Sequence, residues 1–346
     1  MNWANRPRRL LLKGVALSLA MAAAWTLWAE LHPTEERALR MLVHDQLDNW
    51  FPELMSAPGD GFGVALRQAA EQGAMQPPVL LIHGLDEPGI IWDDLVVALA
   101  DAGFDVWELR YPNDQGIDRS ADFLARHWAA LPAEQPVILI GHSMGGLVAR
   151  EFVTRLRYPP GPAPQLEGAP VGGLVMIGTP NHGSPWARLR IWLELREHFE
   201  DARQRRFTLF AGLRDGVGEA KVDLRPGSNF LKALNARPWP DAVPRFLIGA
   251  QLLSTPSSLT EGLDAAAAEV GSEALREHLH AWWQTLTNGL GDGAVSVASL
   301  RLEDAPPPVI VNATHRTMLR RLGPDDPEPP AIRPIIAQLQ RWSQSP

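Results

Sequence analysis

The stretch Val137-Ile138-Leu139-Ile140-Gly141-His142-Ser143-Met144-Gly145-Gly146 decides how the rest of the chain is read. Its first four residues form a short apolar run rich in β-branched side chains, the composition of a strand buried on both faces. Leu147 to Arg157 follows at once with a helical pattern. Between the two lies G-x-S-x-G, with a glycine two residues before and two after Ser143. A strand that turns so abruptly into a helix strains the backbone at the apex and projects that side chain above the sheet. Glycines on either side keep other side chains from colliding in the turn. The new helix points its first amides at any negative charge forming beside the serine. A bare G-x-S-x-G arises often by chance. The flanking strand and helix are what make Ser143 a candidate nucleophile.

Working outward, the same alternation recurs. Val79 to Ile82 reads as a buried strand ending at His83-Gly84. Trp92 to Ala102 reads as a helix stopped by Gly103, Asp105 to Leu109 as a strand, and Ser120 to Leu131 as a helix. Gly173 to Ile177, Arg245 to Ile248 and Pro308 to Asn312 complete the strands. Strands alternating with helices predict an α/β fold, a mostly parallel central sheet with helices on both faces. The pattern occupies residues 76–346, with two interruptions too long for plain connections. Residues 183–240 are expected to form a cap insertion. There Trp186, Leu189, Ile191, Trp192, Leu193, Leu195 and Phe199 mark a helix with a broad apolar face, read either as a packed surface helix or as a mobile lid. Residues 251–290 form a second insertion with helices of its own.

A serine hydroxyl is a poor nucleophile at neutral pH and needs a histidine base oriented by a carboxylate. His315 lies in the loop Asn312-Ala313-Thr314-His315 that leaves the last strand. His198, His278 and His280 fall within helical patterns, where packing or surface roles are expected. His182 follows a strand, and His142 neighbours the serine. For the carboxylate, Asp292 stands between Gly291 and Gly293, ahead of His315. An Asp-Gly turn without chemistry is the competing reading. Asp264 and Glu269 are rivals in a helical stretch, and Asp304 is one in a proline-flanked loop.

Taken in order, these segments resemble the lipase and esterase branch of the α/β-hydrolase superfamily, from Gln76 to about Gln340. Leu81-Ile82-His83-Gly84-Leu85 resembles its oxyanion strand and loop, and Gly141 to Gly146 its nucleophile elbow. Ile177-Gly178-Thr179-Pro180-Asn181-His182-Gly183-Ser184 is similar to the loop after the next strand in many lipases. Asp223 to Leu231 is similar to a cap-region segment, and Gly291 to Val297 to the loop bearing the acid. The resemblance implies an α/β-hydrolase fold with a helical cap and a triad in the order Ser143, Asp292, His315. It implies an oxyanion hole from the backbone N–H groups of Leu85 and Met144, and two-step acyl transfer from a hydrophobic or lipid ester. No cofactor is implied. Some lipases of this group hold a structural calcium ion near the catalytic histidine, but Arg316-Thr317-Met318 follows His315 and no metal is carried over. A thioesterase, amidase or acyltransferase would use the same triad, and a membrane-anchored binding or folding-assistance protein could keep the fold without turnover.

The amino terminus differs from the rest. Arg6, Arg8, Arg9 and Lys13 precede the uncharged run Gly14 to Ala29, the layout of an export signal or signal anchor over residues 1–32. Arg8-Arg9-Leu10-Leu11-Leu12-Lys13 also resembles a twin-arginine export signal. The run is short for a span of roughly 20 residues, and no small-x-small cleavage site follows it. Retention as an anchor is therefore expected, with the catalytic domain periplasmic or extracellular. Residues 33–75 read as a helical extension. Thr34 is its expected N-cap, and Leu39, Leu42, Val43, Leu47 and Trp50 recur at helical spacing, as in a helix packed on the outside of the catalytic domain.

Composition narrows the field. The 346 residues are 45% hydrophobic with a net charge of −8, which excludes a basic nucleic-acid surface. There is no cysteine, hence no disulfide, thiolate metal site or thiol nucleophile.

Overall fold

The computed structural model describes residues 21, 24–55, 61–71, 76–85, 89–162, 165–184, 217–252, 276 and 291–344. Most of the expected anchor segment, of the cap (185–216) and of the second insertion (253–275 and 277–290) lies outside the described residues.

Among the described residues, seven strands make one sheet: β1 (Gly63–Gln68), β2 (Val79–Ile82), β3 (Val106–Arg110), β4 (Val137–His142), β5 (Val171–Ile177), β6 (Arg245–Ala250) and β7 (Val309–Val311). Their spatial order is β1-β3-β2-β4-β5-β6-β7. Only β1 runs antiparallel to its neighbour; every other pair is parallel. This is the mostly parallel sheet expected from the alternation, with an added edge. β1 falls in the stretch read as a helical extension. It is partnered on one edge and half-exposed along its length, so it lacks the buried apolar run by which the other strands announce themselves.

Among the described residues, the helices that position the site and its surroundings are α1 (Pro33–Trp50), α2 (Asp93–Asp101), α3 (Ile117–His127), α4 (Met144–Glu151), α5 (Glu219–Asp223), α6 (Asn229–Asn235) and α7 (Ile332–Gln344). Two apolar layers follow from the period-2 alternation of strand side chains. Leu80, Ile82, Leu139, Leu174 and Met176 meet Ile117 and Leu124 of α3 and Leu147 of α4 on one face. Val79, Leu81, Ile138, Ile140, Val175 and Ile177 meet Leu95 and Leu99 of α2 and Ile335 and Leu339 of α7 on the other. Covered on both sides, β2 and β4 are buried at every residue, which is why their sequences carry no polar alternation.

α1 does lie on the domain, but it turns its charged face inward. Glu36 is fully buried, accepting from Arg225 Nη1 at 2.7 Å and from Arg40 Nη2 at 2.8 Å. Arg37 Nε donates to the buried Asp223 at 2.7 Å, and its Nη2 donates to Asp118 at 2.7 Å. His44 stands 3.5 Å from Glu219, and Arg40 also donates to the Val217 carbonyl. Leu39, Leu42, Val43 and Trp50 are exposed. The spacing defined an amphipathic helix, but not which face goes in; strong ion pairs to α5 and its flanks decide that. Thr34 is not the N-cap. His32 occupies that position with Pro33 opening the helix, and Thr34 Oγ1 instead accepts from Asn229 Nδ2 at 2.9 Å. Among the described residues, no helix is long and apolar enough to cross a membrane.

Candidate active site

The sheet register brings the site together. Ile82 of β2 pairs with Gly141 of β4, and His142 of β4 pairs with Ile177 of β5. The carboxyl ends of the three central strands therefore finish side by side, where the loops of a parallel sheet gather. Ser143 is the first residue past β4 and the N-cap of α4. Its φ is 52° and ψ −124°, and among the described residues it alone combines a side chain with a positive φ. Such a conformation costs about 1–3 kcal/mol and persists only where surrounding contacts enforce it.

The enforcement is visible in the glycines. A Cβ at Gly145 would lie 2.0 Å from the Ile82 carbonyl oxygen, and one at Gly141 would lie 2.4 Å from the Gly146 nitrogen. α4 thus starts in direct backbone contact with the end of β2. The Ser143 amide donates to the Ile177 carbonyl at 2.8 Å, fixing the apex to β5 as well. Ser143 itself is half-buried. On the other side, a Cβ at Gly84 would come within 2.9 Å of the Ser143 Cβ. The His83-Gly84-Leu85 loop is therefore brought directly against the serine. Met144 is the first residue of α4, and Leu85 is buried in the facing loop.

The structure also brings Asp292 and His315 together. His315 Nδ1 lies 2.7 Å from Asp292 Oδ2. The other carboxylate oxygen, Oδ1, accepts from the amides of Ala294 at 2.8 Å and Val295 at 2.7 Å. The His315 amide donates to the Asp292 carbonyl at 2.9 Å, so the two residues are tied through backbone as well as side chain. Asp292 is almost fully buried, whereas His315 remains partly open. With the carboxylate accepting at Nδ1, that nitrogen carries the proton and Nε2 of the neutral ring keeps its lone pair.

The rival residues are otherwise engaged. His142, directly before Ser143, is buried; its Nε2 lies 3.1 Å from the His315 carbonyl oxygen and its ring 4.6 Å from the His315 ring. It buttresses the loop that carries His315. His182 Nε2 lies 3.1 Å from the Arg301 carbonyl oxygen. Asp304 pairs with Arg245 on the surface. His198, His278, His280, Asp264 and Glu269 lie outside the described residues. No group of three His, Cys, Asp or Glu side chains among the described residues is arranged to hold a metal ion.

Several supporting residues carry no motif. Tyr111, just past β3, stacks on His83 at 4.6 Å and donates its hydroxyl to the His83 carbonyl at 2.7 Å. Burial pushes its phenol pKa well up, so it remains a donor. Trp92 meets the His142 ring edge-on at 6.2 Å. The loop Gly178 to Ser184 braces the acid loop: Ser184 Oγ donates to the Ala294 carbonyl at 2.6 Å, and Asn181 Nδ2 to the Leu300 carbonyl at 2.8 Å. Asn181 Oδ1 in turn accepts from Arg150 Nη1 at 2.9 Å, and Asn235 Oδ1 accepts from the same atom at 3.0 Å. Burial pulls the Arg150 pKa down to about 10, which still leaves the guanidinium charged at neutral pH.

The sequence from residue 79 to residue 344 matches the alpha/beta hydrolase family. The chain belongs to that family. No curated protein sequence matches it. Among solved structures, this α/β hydrolase resembles a metagenomic carboxyl esterase with a TM-score of 0.50 at 19% identity, over 82% of this chain and 83% of the other. It resembles the Staphylococcus hyicus lipase with a TM-score of 0.50 at 13% identity, over 80% of this chain and 100% of the other. At these identities the likeness is one of fold.

Proposed function

We propose that the protein is a serine carboxylic-ester hydrolase acting on lipid or other hydrophobic esters. The observation that carries the reading is the 2.7 Å contact between Asp292 and His315, whose ring lies 4.6 Å from that of His142, the residue before the strained Ser143. In this mechanism His315 Nε2 takes the Ser143 proton as Oγ attacks the ester carbonyl. The carbonyl oxygen becomes an oxyanion, held by the backbone N–H groups of Leu85 and Met144 with support from the amino end of α4. Collapse expels the alcohol, which receives the proton from His315. Water then repeats the sequence on the acyl-enzyme and releases the acid and free Ser143. Asp292 stabilises the imidazolium and holds the ring.

The family match and the lipase and esterase folds support ester hydrolysis. The preference for hydrophobic esters draws on the apolar, arginine-rich cap sequence and on the amino-terminal segment, through which we propose export and retention at a membrane. A fluorophosphonate probe tests the reading: it should label folded wild-type protein at Ser143, identified by peptide mass, and leave Ser143→Ala unlabelled. The same variant should lose p-nitrophenyl ester hydrolysis by at least ~10³-fold. An unlabelled, well-folded wild type would sink the proposal.

A further inference from the structure

α1 and the helical residues 24–31 before it expose a run of large apolar side chains. Met21, Trp25, Leu27 and Leu31 lead into Leu39, Leu42, Val43 and Trp50, and Phe51 follows; their exposures run from 39% at Leu39 to 68% at Trp50. Within α1, Leu39, Val43 and Trp50 stand at i, i+4 and i+11, with Leu42 beside them, so they share one side of the helix. The adjoining side carries Glu36, Arg37, Arg40 and His44, each engaged by the domain. A surface helix normally does the reverse, burying its apolar stripe and leaving charge to water. Single exposed leucines are ordinary, but so many large apolar side chains on one side, with only Glu35 and Gln46 between them, mark a contact with something non-aqueous.

We propose that this outward face is the surface by which the chain lies on a lipid bilayer. Three observations select lipid as the occupant. First, the uncharged sequence run Gly14 to Ala29, already of signal or anchor character, leads directly into the exposed stripe. Second, the stripe carries Trp25, Trp50 and Phe51, and tryptophan concentrates at the boundary between headgroups and hydrocarbon. Third, the charged face that would have to stay out of the membrane is taken up by pairs with Asp118, Glu219, Asp223 and Arg225 on the domain. The bilayer is thus a layer against which α1 is sandwiched, and the domain is held beside the membrane rather than at the end of a tether. This inference does not depend on which bond the active site cleaves.

The absence of cysteine makes the test direct. Leu42→Cys and Trp50→Cys variants of the full chain are labelled with a nitrobenzoxadiazole dye, with Leu322→Cys, an exposed leucine outside the stripe, as control. Phosphatidylcholine vesicles are used so that the basic residues near the amino terminus do not drive the binding. Dyes at 42 and 50 should shift to shorter wavelength, brighten several-fold and be quenched by doxyl-labelled lipid, while the dye at 322 does not respond. Vesicle binding by flotation without a response at 42 and 50 would show that the amino-terminal segment binds alone, and would overturn the proposal. So would an absence of vesicle binding. Dyes at 42 and 50 already shielded in vesicle-free solution would assign the stripe to another part of the chain. A shift that grows with protein concentration together with a dimer mass would assign it to a second copy. Either result overturns the bilayer assignment.

Discussion

The elbow at Ser143 and the helix α1 solve opposite problems of burial. At the elbow, backbone packs on backbone: Gly145 and Gly141 leave no room for a Cβ, and β2 and β4 are buried at every position. The polar atoms kept there, on Asp292 and His315, are paired with each other and with loop amides. At α1 the chain buries glutamate and histidine, half-buries two arginines and leaves leucine and tryptophan outside. The difference shows that burial follows available partners as much as hydrophobicity. A charged face goes inward when matching charges wait for it.

The comparison can be tested from its strongest contrast to its weakest. Asp292→Asn keeps the shape of the acid but reverses the hydrogen bond to His315 Nδ1, favouring the wrong tautomer. Activity on p-nitrophenyl esters should fall on the order of 10⁴-fold, with the circular dichroism spectrum unchanged. Retained activity would move the acid elsewhere. Glu36→Ala should cost about 3–5 kcal/mol in urea unfolding, because Arg225 is left charged and buried. The paired change Glu36→Leu with Arg225→Met should recover most of that loss. If the single change is silent, α1 is not held by its charges. Gly145→Ala pushes a methyl against the Ile82 carbonyl and should cost about 1–3 kcal/mol, with a larger loss of activity than of stability. Normal ester turnover in that variant would show that the close fit is dispensable.

The smallest effect concerns His44. The neighbouring Glu219 carboxylate raises its pKa above the ordinary histidine value, outweighing the opposing effect of burial. A histidine raised on folding contributes stability that is fully present below its unfolded pKa of about 6.5 and is lost as pH climbs through the higher folded value. His44→Gln should remove that slope, a change of about 1 kcal/mol or less across the window. Thermal midpoints measured from pH 6 upward would reveal it. An unaltered slope would exclude the His44–Glu219 pair as its source.

Legibility varied with how locally each feature is encoded. β2 and β4 were readable because a strand covered on both faces must be apolar throughout. β1 was not, because an edge strand with half-wet faces has no such requirement. The elbow was legible down to its glycines, since turn and contacts lie within a few residues. The pairing of Asp292 with His315 was legible through the order of the segments and their resemblance to a family. The brace from Arg150 through Asn181 and Asn235 had no signal, since its members are scattered in sequence and each is unremarkable alone. Tyr111 over His83 belongs with it.

By itself, the sequence determined the strand–helix alternation, the strained turn at Ser143 and the amphipathic character of α1, because each depends on periodicity or sterics over a handful of residues. Only the tertiary structure decided that β1 closes one edge of the sheet, that a distant loop brings Asp292 to His315, and that α1 turns its charges inward. Those outcomes depend on partners far along the chain, and a pattern of spacing specifies a face without specifying what will meet it.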